Sequence, residues 1–211
     1  MSSYIPKDGV TQAFRDNKGV LSPNQIIDLD NQNKYTKFGQ IELIGETSLS
    51  GAAASIDFDN IQEDVYNVHI LHALNLAPAN DNQQVGLRFK VNGSVDSDND
   101  YHRAVFTIAG DGGVDDSRDT AINSMMLTFN QGNATNEKGH AIFHMYNLGA
   151  FDKVSYINMR SVNQNNGNTL KAQFGAYCYD VTAAVDGLSF IMTNGSNIAT
   201  GTFRLYGVRF A

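Results

Sequence analysis

In the stretch "QQVGLRFKVNG", Val85, Leu87, Phe89 and Val91 alternate with Gly86, Arg88 and Lys90. Successive side chains on a strand point to opposite faces, so this pattern buries one face and leaves the other wet. The same texture recurs from Phe38 onward in "YHRAVFTIA", "HAIFHMYNL", "LKAQFGAYCYD", "GLSFIMTN" and the terminal "TGTFRLYGVRFA". Gly, Asn, Asp and Ser separate the runs, which is turn chemistry. About ten short strands with polar connections predict an all-β domain of two packed antiparallel sheets. No repeat with a period of 20 to 50 residues is visible, which argues against propellers and solenoids.

The alternation assigns faces. Val85, Leu87, Phe89, Phe174, Phe203 and Leu205 are the predicted core. In the last run, Phe203 and Leu205 point inward while Arg204 and Tyr206 point outward. Gly201 is expected to permit a sharp entry, and Gly207 to mark a bulge or a close backbone approach. In "AQFGAYCYD", Cys178 falls in line with Ala172, Phe174 and Ala176 and reads as a small core residue. Tyr177 and Tyr179 then face the other way, toward solvent.

Residues 1–36 differ from residues 37–211. They carry two of the three prolines, and their apolar residues, Tyr4, Ile5, Phe14, Leu21, Ile26 and Ile27, follow no sustained period. This predicts an extended N-terminal arm with one short helical turn at "LSPNQIIDLDNQ", where Ser22 and Pro23 suit the cap and first-turn positions. Such an arm either lies along its own domain or anchors the protein to another subunit through those six apolar residues.

Composition excludes several classes. A formal charge of −7 with no basic stripe opposes non-specific nucleic-acid binding. The single Cys178 permits no internal disulfide and no cysteine-based metal site. The first ten residues lack the apolar run of a signal peptide, and no stretch reaches the 18 or so apolar residues of a membrane-spanning helix. Neither ordinary secretion nor membrane insertion is expected.

Three motifs invite a chemical reading. His140 and His144 in "HAIFH" share a strand face but lack a matching carboxylate or third ligand, so they read as wet-face or interface residues. His69 and His72 fall on opposite faces. Asp96, Asp98 and Asp100 reproduce the first half of a calcium loop, but Tyr101 and Thr107 occupy the positions that require Gly and Glu. The loop reads as a solvated polar turn. "AGDGGVDDSRD" is glycine-rich but acidic, so its carboxylates would repel a phosphate. No pair of acidic residues is singled out for glycoside hydrolysis, and no catalytic, metal or cofactor site is assigned.

One resemblance adds to this. "LRFKVNG", the polar loop that leads to "DYHRAV", and the closing "GLSFIMTNGSNIATGTFRLYGVRF" resemble the small jelly-roll domains of tailed-bacteriophage virion proteins, especially those of phages of marine bacteria and cyanobacteria. The matching positions are Leu87, Arg88, Phe89, Asn92, Gly93, Tyr101, Gly201, Thr202, Leu205, Tyr206 and Gly207. The resemblance spans residues 38–211 and leaves the arm uncovered; Lys90 and Val91 precede Asn92–Gly93 as a departure from the pattern.

The resemblance implies a jelly-roll-like β-sandwich in a virion and transfers no catalytic residue. The expected function is that of a non-enzymatic structural protein, made in the host cytoplasm and built into a phage particle. The arm would attach it to other virion proteins, and the sandwich would be displayed on the tail, fibre or baseplate in contact with the host surface. A homo-oligomer, with a trimer favoured, is expected. Capsid decoration is the alternative location. A carbohydrate-binding module is the alternative of another class, with Tyr177 and Tyr179 as the contacts to a host-surface glycan.

Overall fold

The computed structural model describes residues 23–31 and 41–209. Tyr4, Ile5, Phe14 and Leu21 of the arm lie outside the described residues. Within the arm, a nine-residue helix α1, Pro23–Asn31, is longer than the single turn expected from the sequence. Pro23 opens it, where a missing N–H costs nothing. Leu29 is buried, Ile26 is half-buried and Ile27 is exposed.

Residues 40–209 form a separate compact unit built almost entirely of strands. The unit begins with β1 (Ile41–Ser48), β2 (Ser55–Phe58), β3 (Val68–Pro78), β4 (Val85–Val91) and β5 (Ser94–Val95). Next come β6 (Tyr101–Ala109), β7 (Val114–Ile122), β8 (Met125–Met126) and β9 (Gly139–Tyr146). The chain closes with β10 (Ser155–Gln164), β11 (Leu170–Tyr179), β12 (Gly187–Met192) and β13 (Ile198–Val208). Every pairing is antiparallel.

The pairings are nested. β1 pairs with β13, β2 with β12, β3 with β9, and β4 with the short β5. Successive pairs fall into alternate sheets, which is a jelly-roll winding. One sheet has the order β2-β12-β4-β5, with β8 also on β4; the other begins β1-β13-β3-β9. The hairpins β10–β11 and β6–β7 extend this second sheet beyond β9 to eight strands, in the order β9-β10-β11-β6-β7.

The core lies between the sheets. Val85, Leu87, Phe89, Phe203 and Leu205 are fully buried, as the alternation predicts. Phe190 of β12 meets Phe203 of β13 across the layers at 4.7 Å between ring centroids, and Phe58 packs edge-on against Phe190 at 6.0 Å. Beneath the added hairpins the inner face turns polar. Gln173 donates to Asn163 at 3.1 Å and Asn163 donates to the Phe129 carbonyl at 3.0 Å, so these buried amides are partnered.

β11 reverses one expectation. Tyr177 and Tyr179 are buried, whereas Phe174 is 45% exposed on the outer face. Cys178 is half-buried on that same outer face and is not a core residue. The reason is hydrogen bonding. The Tyr177 hydroxyl accepts from the Met126 N–H at 3.1 Å and donates to its carbonyl at 3.2 Å, and the Tyr179 hydroxyl donates to Asp96. A buried phenol with its oxygen satisfied outweighs a buried Phe whose companions on its face are Leu170 and the small Ala172, Ala176 and Cys178.

Of the two terminal glycines, Gly201 acts differently from expectation and Gly207 follows one of its two expected roles. Gly201 lies inside β13, where a Cβ would come within 2.9 Å of Leu76 and Phe203. It permits close packing where the register with β3 shifts between Thr200 and Thr202, within the strand and not at its entry. Gly207 lies in unbroken register with β3 and marks a close approach to Tyr66 without a bulge.

Candidate interaction surface

The outer face of the eight-stranded sheet carries a row with one residue from every strand. Following the register, the row runs Glu46, Arg204, His72, Ile142, Arg160, Phe174, Phe106, Asp116. Its ends are neutralised locally: Arg204 Nε lies 2.5 Å from Glu46 Oε2, and Arg118 pairs with Asp116. Its centre is not. Arg160 is exposed, and its guanidinium has no hydrogen bond or ion pair among the described residues.

Arg160 stands between two hollows. One, of about 380 Å³, is lined by His72, Leu74, His140, Ile142 and Val162. The other, of about 500 Å³, is lined by His144, Asn158, Ile142 and Phe174. Around them the face exposes Phe174, Val162, Ile108, Leu170 and Tyr156, and Phe106 packs on Phe174 at 5.4 Å between centroids. Apolar side chains gathered on one sheet face, with a single cation at its middle, differ from the scattered apolar residues of an ordinary surface.

The histidines fall where the alternation put them. His140 and His144 lie on the outer face with His72, and the His140 Nδ1 accepts from the Asn75 N–H at 3.5 Å. Burial, His144 and Arg204 together hold the His72 pKa below the ordinary value. His69 is on the inner face, where its Nε2 bonds the Ile61 carbonyl at 2.8 Å and burial lowers its pKa. The Cys178 thiol is pushed up by burial and by Asp180, away from thiolate reactivity.

A second exposed element is β7. Seven of its nine residues are exposed and the other two half-buried, so the strand is open on both faces as well as along its edge. It follows the glycine-rich loop, where Gly112 has φ +90° and the Asp111 carboxylate accepts from the Gly113 N–H at 3.1 Å. Residues 111–122 hold Asp111, Asp115, Asp116 and Asp119 against one cation, Arg118, and present Val114 at 63% exposure.

Asp96, Asp98 and Asp100 do meet: their carboxylate oxygens lie within 4.8 Å of one another, the only such group of three among the described residues. The protein already uses part of this cluster. Asp96 accepts from the Tyr179 hydroxyl and from the Asp98 N–H, the latter at 2.9 Å, so the loop is tied to β11. Burial and the neighbouring Asp96, Asp98 and Asp180 raise the Asp100 pKa.

The alternation sets Tyr177, Tyr179 and Phe174 on the wrong faces of β11 and does not single out Arg160 or the exposure of β7. The signal for Arg160 was present in "SYINMRSVNQ", whose strict alternation sets Tyr156, Asn158, Arg160 and Val162 on one face. No protein-family model matches the chain, and no curated protein matches it.

Proposed function

We propose that this protein is a non-enzymatic structural subunit of a tailed-phage particle, held to its neighbours through protein–protein surfaces. The observation that carries the reading is the outer face of the eight-stranded sheet, where a jelly roll exposes an aromatic and aliphatic band around Arg160. Contiguous exposed apolar area of this kind suits a partner surface. The resemblance of residues 38–211 to virion jelly rolls supports the same conclusion. The tail, fibre or baseplate is the proposed location. The buried Tyr177 and Tyr179 are not the residues that would meet a glycan.

The test is localisation in intact particles. Antibody against the full chain, visualised by electron microscopy on purified virions, should decorate the tail. Labelling spread over the capsid lattice would establish decoration, and absence of the protein from purified particles would overturn the reading. Deleting residues 1–36 should leave a cooperatively melting domain that no longer joins the particle if the arm is the anchor.

A further inference from the structure

We propose that copies of this chain associate head to tail, with the acidic β6–β7 hairpin of one copy seated on the Arg160 hollows of the next. The inference deepens the structural-subunit reading and rests on it. Two unexplained surfaces of the same chain complement each other. The hairpin offers an exposed apolar residue, Val114, followed by Asp115, which has no ion pair among the described residues, and by Asp116, whose charge is shared with Arg118. The sheet face offers an apolar hollow lined by Leu74, Ile142 and Val162 and a more polar one lined by His144, Asn158 and Phe174, with the Arg160 guanidinium, unpaired among the described residues, between them.

Charge selects this arrangement over its rivals. A two-fold contact centred on the hollows would set Arg160 against Arg160. Continuing the sheet edge to edge would bring β7, whose three aspartates outnumber Arg118, against β1, with Glu42 and the Arg204-paired Glu46, or against a second β7. Both are repulsive, and acidic edges are a known protection against such pairing. Hairpin on hollow brings opposite charges together at an apolar contact. It also covers a strand that is otherwise open on both faces. Because the two surfaces differ, the contact is heterologous, and copies linked this way close into a ring or grow as a filament.

Sedimentation velocity and light scattering on the full-length protein test this across a concentration series up to about 100 μM, where an interface of standard size assembles. Arg160→Glu should weaken association by about tenfold or more, and the double variant Asp115→Lys, Asp116→Lys should do the same. Combining all three reversals should restore association to near the wild-type level. These positions are exposed, so thermal melts should stay close to wild type and exclude misfolding as the cause.

A wild-type protein that is monomeric throughout the series overturns the proposal, as does association that Arg160→Glu leaves intact. Loss with Arg160→Glu that the aspartate reversals do not repair also overturns it, since the hollows would then hold some other partner. None of these outcomes bears on whether the protein is found in the particle, so the two readings fail separately.

Discussion

Gly207 of β13 lies directly beneath the ring of Tyr66, so close that a Cβ at 207 would overlap Cγ, Cδ1 and Cδ2 of the tyrosine. The Tyr66 hydroxyl donates to Glu42 of β1 at 2.6 Å, and the Arg209 guanidinium lies over the same ring at 5.7 Å from its centroid. One aromatic side chain thereby clamps the start of the first strand to the end of the last.

Gly207→Ala should therefore lower stability by about 1–3 kcal/mol through overpacking against an unyielding ring. The same substitution in a Tyr66→Ala background should cost much less. Urea melts of the four proteins in this cycle check the coupling, and additive losses would show that the ring is not the obstacle.

Leu205 is fully buried and Arg204, its neighbour, points outward. Leu205→Ala should cost on the order of 2–5 kcal/mol by opening a cavity between the sheets. Arg204→Ala should cost under about 1 kcal/mol, since its pair with Glu46 is largely exposed. Thermal melts separate the two, and similar losses would contradict the assigned faces.

Burial raises the Tyr177 pKa to about 12. Tyr101 and Tyr179 move in the same direction, burial being the first cause for each and the Asp96 hydrogen bond adding to it for Tyr179. A phenol whose native pKa exceeds its unfolded value favours folding fully below the unfolded pKa and loses that contribution as pH rises through the native one. Stability should decline between about pH 10 and 12. Tyr177→Phe should reduce that decline while lowering stability at pH 7 by about 1–3 kcal/mol, because the Met126 backbone loses its partner. Urea melts over the alkaline range read both effects.

The Asp100 carboxyl shifts the opposite way in its effect on stability at neutral pH. Its native pKa is raised above 3.8, so the ionised form carries a penalty that is complete above the native pKa and relieved as pH falls toward 3.8. Asp100→Asn should raise the melting temperature at pH 7, by an amount equivalent to less than about 1 kcal/mol for a half-buried group that solvent still screens. The advantage should vanish below pH 3.8. A gain that persists in acid would place its origin outside the charge.

The strands whose two faces differ in polarity were legible in the sequence. β4 and β13 each alternate large apolar residues with Arg, Lys or Thr, and their core residues are the predicted ones, although the other face of β4 is not wet: Gly86 and Lys90 are buried there, Lys90 against Asp59. In β11 the alternation favours the wrong face: Leu170, Ala172, Phe174, Ala176 and Cys178 on one side are all apolar, whereas Tyr177 and Tyr179 share the other with Lys171 and Gln173. Local alternation cannot rank such faces, because the outcome depends on partners such as Met126 and Asp96 that are remote in sequence. The neighbouring strand held the answer. β10 alternates cleanly, and the hairpin register sets its buried Ile157 opposite Tyr177 and its exposed Arg160 opposite Phe174. The hollows could not be read from any one segment, since four strands must align to place His72, Ile142, Arg160 and Phe174 in a row.

The nested winding sets how the domain answers a mechanical load. Ile41 sits opposite Val208, with the remaining rungs of β1 and β13 stacked behind that pair. Tension applied through the segments flanking the domain pulls across these rungs and not along them. It peels the ladder open one hydrogen bond at a time from the Ile41–Val208 end, a far gentler failure than shearing all of them together. Resistance at the loaded end then falls to the Tyr66 clamp over Gly207 and to the Arg204–Glu46 pair a few rungs further in.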